Sequence, residues 1–287
     1  YRGAGRPEAT FQLERVVDKA ARELGVDPIA LRRQNFITQF PYATPVAVEY
    51  DTGDYVATMD KLEEIADLAG FAARRAESEK NGKLRGLGVN CYIEACGIAP
   101  SNLVGQLGAR AGLYDAATVR VNATGSISVM VGAHSHGQGH ETAFPQVVAE
   151  MLGIDESMID IVHGDTSKIP FGMGTYGSRS LAVCGSAMVR ATEKIINKAK
   201  KIAGHLLEAS DADIELKDGQ FTVAGTDKSV AWGDVTLAAY VPHNYPLEDI
   251  EPGLEETAFY DPANFTYPAG AYACEVEVDP ETGKVTI

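Results

Sequence analysis

Apolar positions Phe11, Val16, Val17, Ala20 and Leu24 recur at helical spacing behind Pro7, and Gly25 closes the pattern. This predicts a first helix. Asp27-Pro28 reads as a cap followed by proline at the first helical position, with Leu31 and Phe36 on the apolar face of a second helix. Beyond Pro41 and Pro45, Asp54 caps a third helix carrying Val56, Met59, Leu62, Ile65 and Leu68. Arg74 to Lys83 is charged and poor in apolar residues, which makes it the expected boundary between two parts of the chain.

After that boundary the period shortens. Leu84–Cys91 reads as a strand, followed by a loop rich in Gly, Ala and Ser that runs through Gly112. Residues 117–121 and 126–131 alternate as two strands of a hairpin around Asn122-Ala123-Thr124-Gly125. His140–Leu152 is predicted helical, Ile159–Val162 a strand, Ser180–Leu207 a long helix, and another hairpin turns at Asp218-Gly219. Val276 and Val278 alternate ahead of Asp279-Pro280-Glu281-Thr282-Gly283, a closing hairpin with a return strand of three residues. Helices first and mixed elements afterwards predict an α+β chain: a helical N-terminal part followed by a mixed α+β domain. With Tyr1 opening directly on a Gly-rich turn and so short a return strand, the sequence reads as an internal piece of something longer.

Composition narrows the function. Forty acidic residues against 25 Lys and Arg leave a formal charge of −15. A surface this acidic repels phosphate backbones and anionic lipid, so nucleic-acid binding is not expected. No apolar run approaches the length of a membrane span, and no signal peptide precedes the first helix. Cys91, Cys96, Cys184 and Cys274 form no CxxC pair, which disfavours a disulfide framework or thiolate zinc site and fits a reducing, cytoplasmic setting.

Chemistry concentrates in three turns that precede helices. The first is Tyr1-Arg2-Gly3-Ala4-Gly5-Arg6. The second is Gly132-Ala133-His134-Ser135-His136-Gly137-Gln138-Gly139-His140-Glu141, between a strand and a helix. Gly137 and Gly139 let backbone N–H groups approach an oxyanion, and the positive end of the following helix points the same way. The third is Gly174-Thr175-Tyr176-Gly177-Ser178-Arg179-Ser180, whose hydroxyls and arginine suit a phosphate or polar heterocycle. The second turn imitates a dinucleotide fingerprint, but Thr142 stands where the third glycine belongs. His134, His136 and His140 lack the carboxylate or cysteine spacing of a zinc site, so hydrogen-bonded histidines are the expectation and no metal ligand is assigned. Nothing resembles a Ser/His/Asp constellation.

Taken in order, these turns resemble the large, molybdenum-cofactor-binding subunit of the xanthine dehydrogenase, aldehyde oxidase and carbon monoxide dehydrogenase family. Tyr1–Glu8 is similar to the family's substrate-side loop, Gly137-Gln138-Gly139-His140 to its pterin-binding Gly-Gln-Gly turn, and Thr175, Ser178 and Ser180 fall where it places hydroxyls around the dithiolene and phosphate. Cys274–Asp279 through Gly283 is also a familiar family stretch, and the likeness spans essentially the whole chain.

The resemblance implies residues 1–80 as the C-terminal part of a first molybdopterin-binding domain and 81–287 as a second, truncated one. It implies oxidative hydroxylation of an aldehyde or N-heterocycle at a molybdenum–molybdopterin centre, the pterin possibly a dinucleotide. Arg2 would orient the small-molecule substrate, and Gly137, Gln138, Gly139, His140, Thr175, Ser178 and Ser180 would hold the cofactor. Electrons would leave through iron–sulfur and FAD subunits or domains. In the family a further Gly-rich pterin loop and the general-base glutamate lie in segments this chain does not include. The chain alone is therefore expected to be inactive and to carry no cofactor. Subunits that oxidise carbon monoxide carry a copper-binding Cys after Tyr-Arg; Gly3 stands there, arguing against that alternative. A non-catalytic ligand-binding module is the remaining reading.

Overall fold

The computed structural model describes residues 3–46, 48–98 and 100–287. The chain folds as two units, one made of the residues up to Ala95 together with Thr266–Ile287, the other of Cys96–Phe265.

The first unit begins with α1 (Arg6–Leu24), closed by Gly25, whose N–H reaches the Ala21 and Arg22 carbonyls. Asp27 caps α2 (Pro28–Gln34), its carboxylate accepting from Ile29 N and Ala30 N at 2.9 and 2.8 Å. A two-residue ladder, β1 (Tyr42–Ala43) with β2 (Glu49–Tyr50), precedes α3 (Tyr55–Ile65), capped by Asp54 as expected. Leu68 falls beyond α3, in a 3₁₀ turn. The apolar stripe expected on α1 is not its packed face: Phe11, Val16 and Leu24 are each at least 65% exposed, while Ala21 is fully buried. The helix turns its acidic edge to α2 instead, where Arg32 binds Glu14 and Asp18.

The charged stretch expected as a boundary is instead a helix, α4 (Phe71–Lys80), leading into β3 (Leu84–Ile93). Its polar residues are held by distant partners. Arg74 bonds Glu275, and Ser78 Oγ donates to Glu277 at 2.6 Å. The two compact units divide at Ala95 and Phe265.

The second unit opens with a short α5 (Ser101–Gln106), inside what the sequence reads as loop. The hairpin β4 (Asp115–Val121) and β5 (Ile127–Val131) forms as expected, with Val119 opposite Val129. A crossover through α6 (His140–Leu152) brings β6 (Ile159–Val162) alongside β5 in parallel. A π-helical turn over Ser180–Gly185 runs into α7 (Ser186–Leu207). A small sheet of β7 (Ile214–Lys217), β8 (Gln220–Val223) and β9 (Ser229–Ala231) follows, then α8 (Trp232–Tyr240) and β10 (Leu254–Tyr260). The main sheet runs β10-β4-β5-β6. Its core joins Val119, Val129, Phe144 and Leu152 to Met188, Ile195 and Ile202 of α7. The apolar stripe of α7 recurs every three or four residues, and α7 and α6 together cover the sheet.

The chain ends back in the first unit. β11 (Ala269–Val278) pairs along ten positions with β3, from Ala269 opposite Ile93 to Val278 opposite Leu84. The expected closing hairpin forms between β11 and β12 (Val285–Thr286). Its long partner strand lies elsewhere in the sequence, beyond the reach of local pattern. Eight helices and several small sheets among the described residues make the fold α+β.

Candidate functional site

The second unit gathers two of the three Gly-rich turns. Strand β5 ends at Val131, and Gly132 then passes against Gly172 so closely that a Cβ on Gly132 would lie 2.5 Å from Gly172 Cα. Only glycine at both positions permits that approach. Two hydrogen bonds follow at once: Gly174 N donates to Gly132 O at 3.2 Å, and His134 N donates to Thr175 Oγ1 at 3.0 Å. Turns about 40 residues apart therefore share one ladder.

Within the first turn, Gly137 and Gly139 take φ of 98° and 78°, and Gly139 is the N-cap of α6 with no side chain to satisfy the helix's first amides. Thr142 N donates to Gly139 O and the Glu141 amide to its own carboxylate, which leaves the His140 amide to an anion or water. The Gln138 side-chain Oε1 accepts from His136 N, and its amide nitrogen keeps two N–H donors. His140, the first residue of α6, is 6% exposed and stacks on Phe144 at 4.9 Å. Burial holds its pKa below the ordinary imidazole value, and its Nδ1 is buried without a hydrogen-bond partner. Glu141, next to it, bonds His163 at 2.9 Å. Hydrogen bonds from its own amide and from His163 hold its carboxyl below the usual range.

Within the second turn, Thr175 Oγ1 accepts from both His134 N and Ser180 Oγ, the latter at 2.9 Å, so its own O–H remains a donor. Ser178 sits at φ 54° and its carbonyl accepts from Gly97 N and Cys96 Sγ. Ser180 begins the π-helical turn ahead of α7. A helix start capped only by glycine and the free O–H of Thr175 suit an anionic, heteroatom-rich group, with the unpartnered His140 Nδ1 buried behind them.

Gly137, Gln138, Gly139 and His140 are thus on one turn, Thr175, Ser178 and Ser180 on the other, and the two turns are bonded. Arg2 lies outside the described residues. Arg179 does not meet the expectation for the third turn. It is fully buried, and its guanidinium is 2.6 Å from Asp115, itself fully buried, so it is not available to a phosphate. Burial pushes the Asp115 carboxyl up, while Arg179 and the Ala116 amide pull it down. Sequence reading also missed the contact between Gly132 and Gly172. A lone acid opening an otherwise apolar strand, Asp115 before Ala116-Ala117, was the available signal for a buried pair. Among the described residues no group of three His, Cys, Asp or Glu side chains converges on a metal position. No helix among them is long and apolar enough to cross a membrane.

Comparison with known proteins places the chain in a family. Models of the molybdopterin cofactor-binding domain match residues 1–36 and 61–287. The chain is 40% identical to the carbon monoxide dehydrogenase large chain of Hydrogenophaga pseudoflava, over 98% of its own length and 35% of that protein's. It is 36% identical to the nicotine 6-hydroxylase large subunit of Paenarthrobacter nicotinovorans, over 100% and 35%. A crystal structure of the Cu,Mo-CO dehydrogenase in its carbon monoxide reduced state superposes with a TM-score of 0.88 at 38% identity, covering 100% of this chain and 37% of that one. The chain therefore spans about a third of the length of the relatives it matches. With a family match running from residue 61 to residue 287, this chain belongs to the molybdopterin cofactor-binding domain family.

Proposed function

We propose that this chain serves a molybdenum hydroxylase that oxidises an aldehyde or an N-heterocycle, with a molybdopterin, alone or as its dinucleotide, held by Gly137, Gln138, Gly139, His140, Thr175, Ser178 and Ser180. The observation that carries the reading is the bond from His134 N to Thr175 Oγ1, which joins the Gly-Gln-Gly turn to the hydroxyl turn. A cofactor ending in phosphate needs donors fixed in place before it arrives, because ordering them afterwards subtracts from binding. The molybdenum centre, when bound, supplies the oxygen transfer and accepts the electrons. This chain's residues supply the cradle: the His140 amide at the start of α6, the Gln138 side-chain amide and the Thr175 hydroxyl. Arg2 is assigned to substrate orientation, where a fixed guanidinium polarises a carbonyl or ring nitrogen. The helical N-terminal stretch closes a first cofactor-binding domain, and the rest forms much of a second. Iron–sulfur and FAD subunits of the same complex would carry the electrons away, in a reducing, cytoplasmic setting that suits four unpaired cysteines.

Gly3 separates hydroxylation from carbon monoxide oxidation. It sits at φ 96° and carries no thiol, and a Cβ there would lie 2.8 Å from Pro7 Cδ, so neither copper ligand nor room for one is present. Metal and pterin analysis of the protein at its full natural length, with assays on aldehydes, N-heterocycles and carbon monoxide, tests the reading. Molybdenum and pterin near one per chain, without copper, and hydroxylation of an aldehyde or heterocycle are expected. Protein free of molybdenum and pterin would overturn it in favour of a non-catalytic module.

A further inference from the structure

The most extensively bonded side chain of the second unit touches neither turn's outer surface. Arg179 has five N–H donors, and all five are placed. Nε donates to Ile98 O at 2.9 Å, Nη1 to Asp115 Oδ2 at 2.6 Å and Gly174 O at 3.0 Å, and Nη2 to Leu113 O at 2.8 Å and Tyr114 O at 3.2 Å. None remains for a ligand. The guanidinium instead ties together three stretches of chain: the 97–98 segment, the start of β4, and the first residue of the hydroxyl turn. The Arg179 amide donates back to Tyr176 O at 3.2 Å, so main chain and side chain close the same turn from both ends.

We propose that Arg179 is the positioning residue of the cofactor cradle: by fixing Gly174 and the turn that follows, it holds Thr175 where His134 N and Ser180 Oγ can both bond it. The proposal rests on the reading of the two turns as a cofactor site. A lysine keeps the charge opposite Asp115 but not the planar fork, so it can satisfy only part of the acceptor set. The carbonyls it abandons are buried or half-buried, and a turn with unpaired carbonyls relaxes toward water.

The test compares Arg179→Lys with Ile202→Val, a methylene deletion in the buried face of α7, at matched thermal destabilisation. In the 287-residue chain, hydrogen exchange should quicken at least tenfold at residues 133–140 and 174–180 in the Arg179→Lys chain and hardly change in Ile202→Val. In the protein at full natural length, molybdenum and pterin content should fall at least tenfold in the first and stay near wild type in the second. Unchanged exchange and content in Arg179→Lys, or equal losses in Ile202→Val, would overturn the proposal. If the lysine chain does not fold, the wild-type chain still decides. The Gly174 and Arg179 amides should exchange as slowly as those of β4, and rapid exchange there would overturn the proposal. A wild-type protein without molybdenum or pterin, combined with the expected exchange pattern, would refute the cofactor reading while leaving Arg179's hold on the turn intact.

Discussion

Gly132 and Gly172 are in backbone contact: a Cβ on Gly172 would lie 2.5 Å from Gly132 O, and one on Gly132 would lie 2.6 Å from Phe171 O. Besides these main-chain atoms, Asp115 Oδ1 would clash with a Cβ on Gly132, and Asp115 is itself held by Arg179, so a rotamer change alone does not relieve the clash. Gly132→Ala should therefore separate the two turns. Overpacking in a closed core costs about 1–3 kcal/mol, and a backbone clash belongs at the top of that range. Chemical denaturation followed by the single tryptophan, Trp232, which is 4% exposed in the same unit, should report a loss of about 3 kcal/mol. Wild-type stability in that variant would mean that the two glycines do not need to touch.

The first unit should be sensitive to acid. Glu275 accepts from Arg74 and Arg85, and Glu277 from Ser78, Lys83 and Arg85. Those hydrogen bonds bring both carboxyls from an ordinary 4.5 down to about 2. A carboxyl whose folded pKa is depressed stabilises the fold fully above its unfolded value and loses that contribution as pH falls through the folded one. The contribution of this pair to stability should therefore be present above pH 4.5 and be lost between there and pH 2. In Glu275→Gln/Glu277→Gln the chain should be less stable at pH 7 and show a shallower decline across that window. Parallel pH profiles for the two proteins, measured by circular dichroism, would exclude this network as the source.

The same network explains where sequence reading fell short. Arg74–Lys83 reads as a boundary because its apolar residues are few, and local pattern weighs only neighbours. Its partners are Glu275 and Glu277, some 200 positions away, and the resulting ion pairs make it a helix and fasten it to β11. The apolar stripe on α1 was legible as a pattern, but no segment among the described residues covers Phe11, Val16 or Leu24. Elements whose period and caps agree were legible: α2 with Asp27, the β4–β5 hairpin, and α7. The turns of the site were legible by composition, but their pairing was not. It depends on Gly132 meeting Gly172 and on a buried ion pair, and neither has a spacing that a sequence displays.

The four thiols should differ sharply in reactivity. Burial pushes the Cys184 thiol up to about 12, and Asp115 adds to the effect. Thiolate is the reactive form, so at pH 8 only about one molecule in ten thousand would carry it even if reagent could enter. Cys274 is exposed on β11. Alkylation at pH 8 followed by mass spectrometry should modify Cys274 within minutes, and Cys91 and Cys96, which are half-buried, more slowly. Cys184 should react only at the rate of global unfolding. Modification of Cys184 in native buffer at a rate near that of Cys274 would mean that the floor beneath the two turns opens readily.

His140 offers the sharpest separation of stability from function. Its Nδ1 is buried without a partner, and such a group costs about 1–3 kcal/mol relative to a satisfied or apolar one. Its ring stacks on Phe144, so most of its packing is that of an apolar side chain. His140→Phe keeps the stacking surface and deletes the unpartnered nitrogen. If the nitrogen is there only because imidazole fits, the substitution should stabilise the chain by about 1 kcal/mol with no further consequence. If it is kept to bond the cofactor, the same stabilisation should come with a several-fold loss of molybdenum and pterin from the protein at its full natural length. The second outcome is expected, because burial also keeps His140 neutral near pH 7, so it meets an anionic partner as an N–H donor and not as a charge. Thermal melts of the 287-residue chain and metal content of the full-length protein measure the two halves separately. A destabilised His140→Phe chain would show that Nδ1 is satisfied by water in solution, and a stabilised one that retains its molybdenum would remove His140 from the cradle.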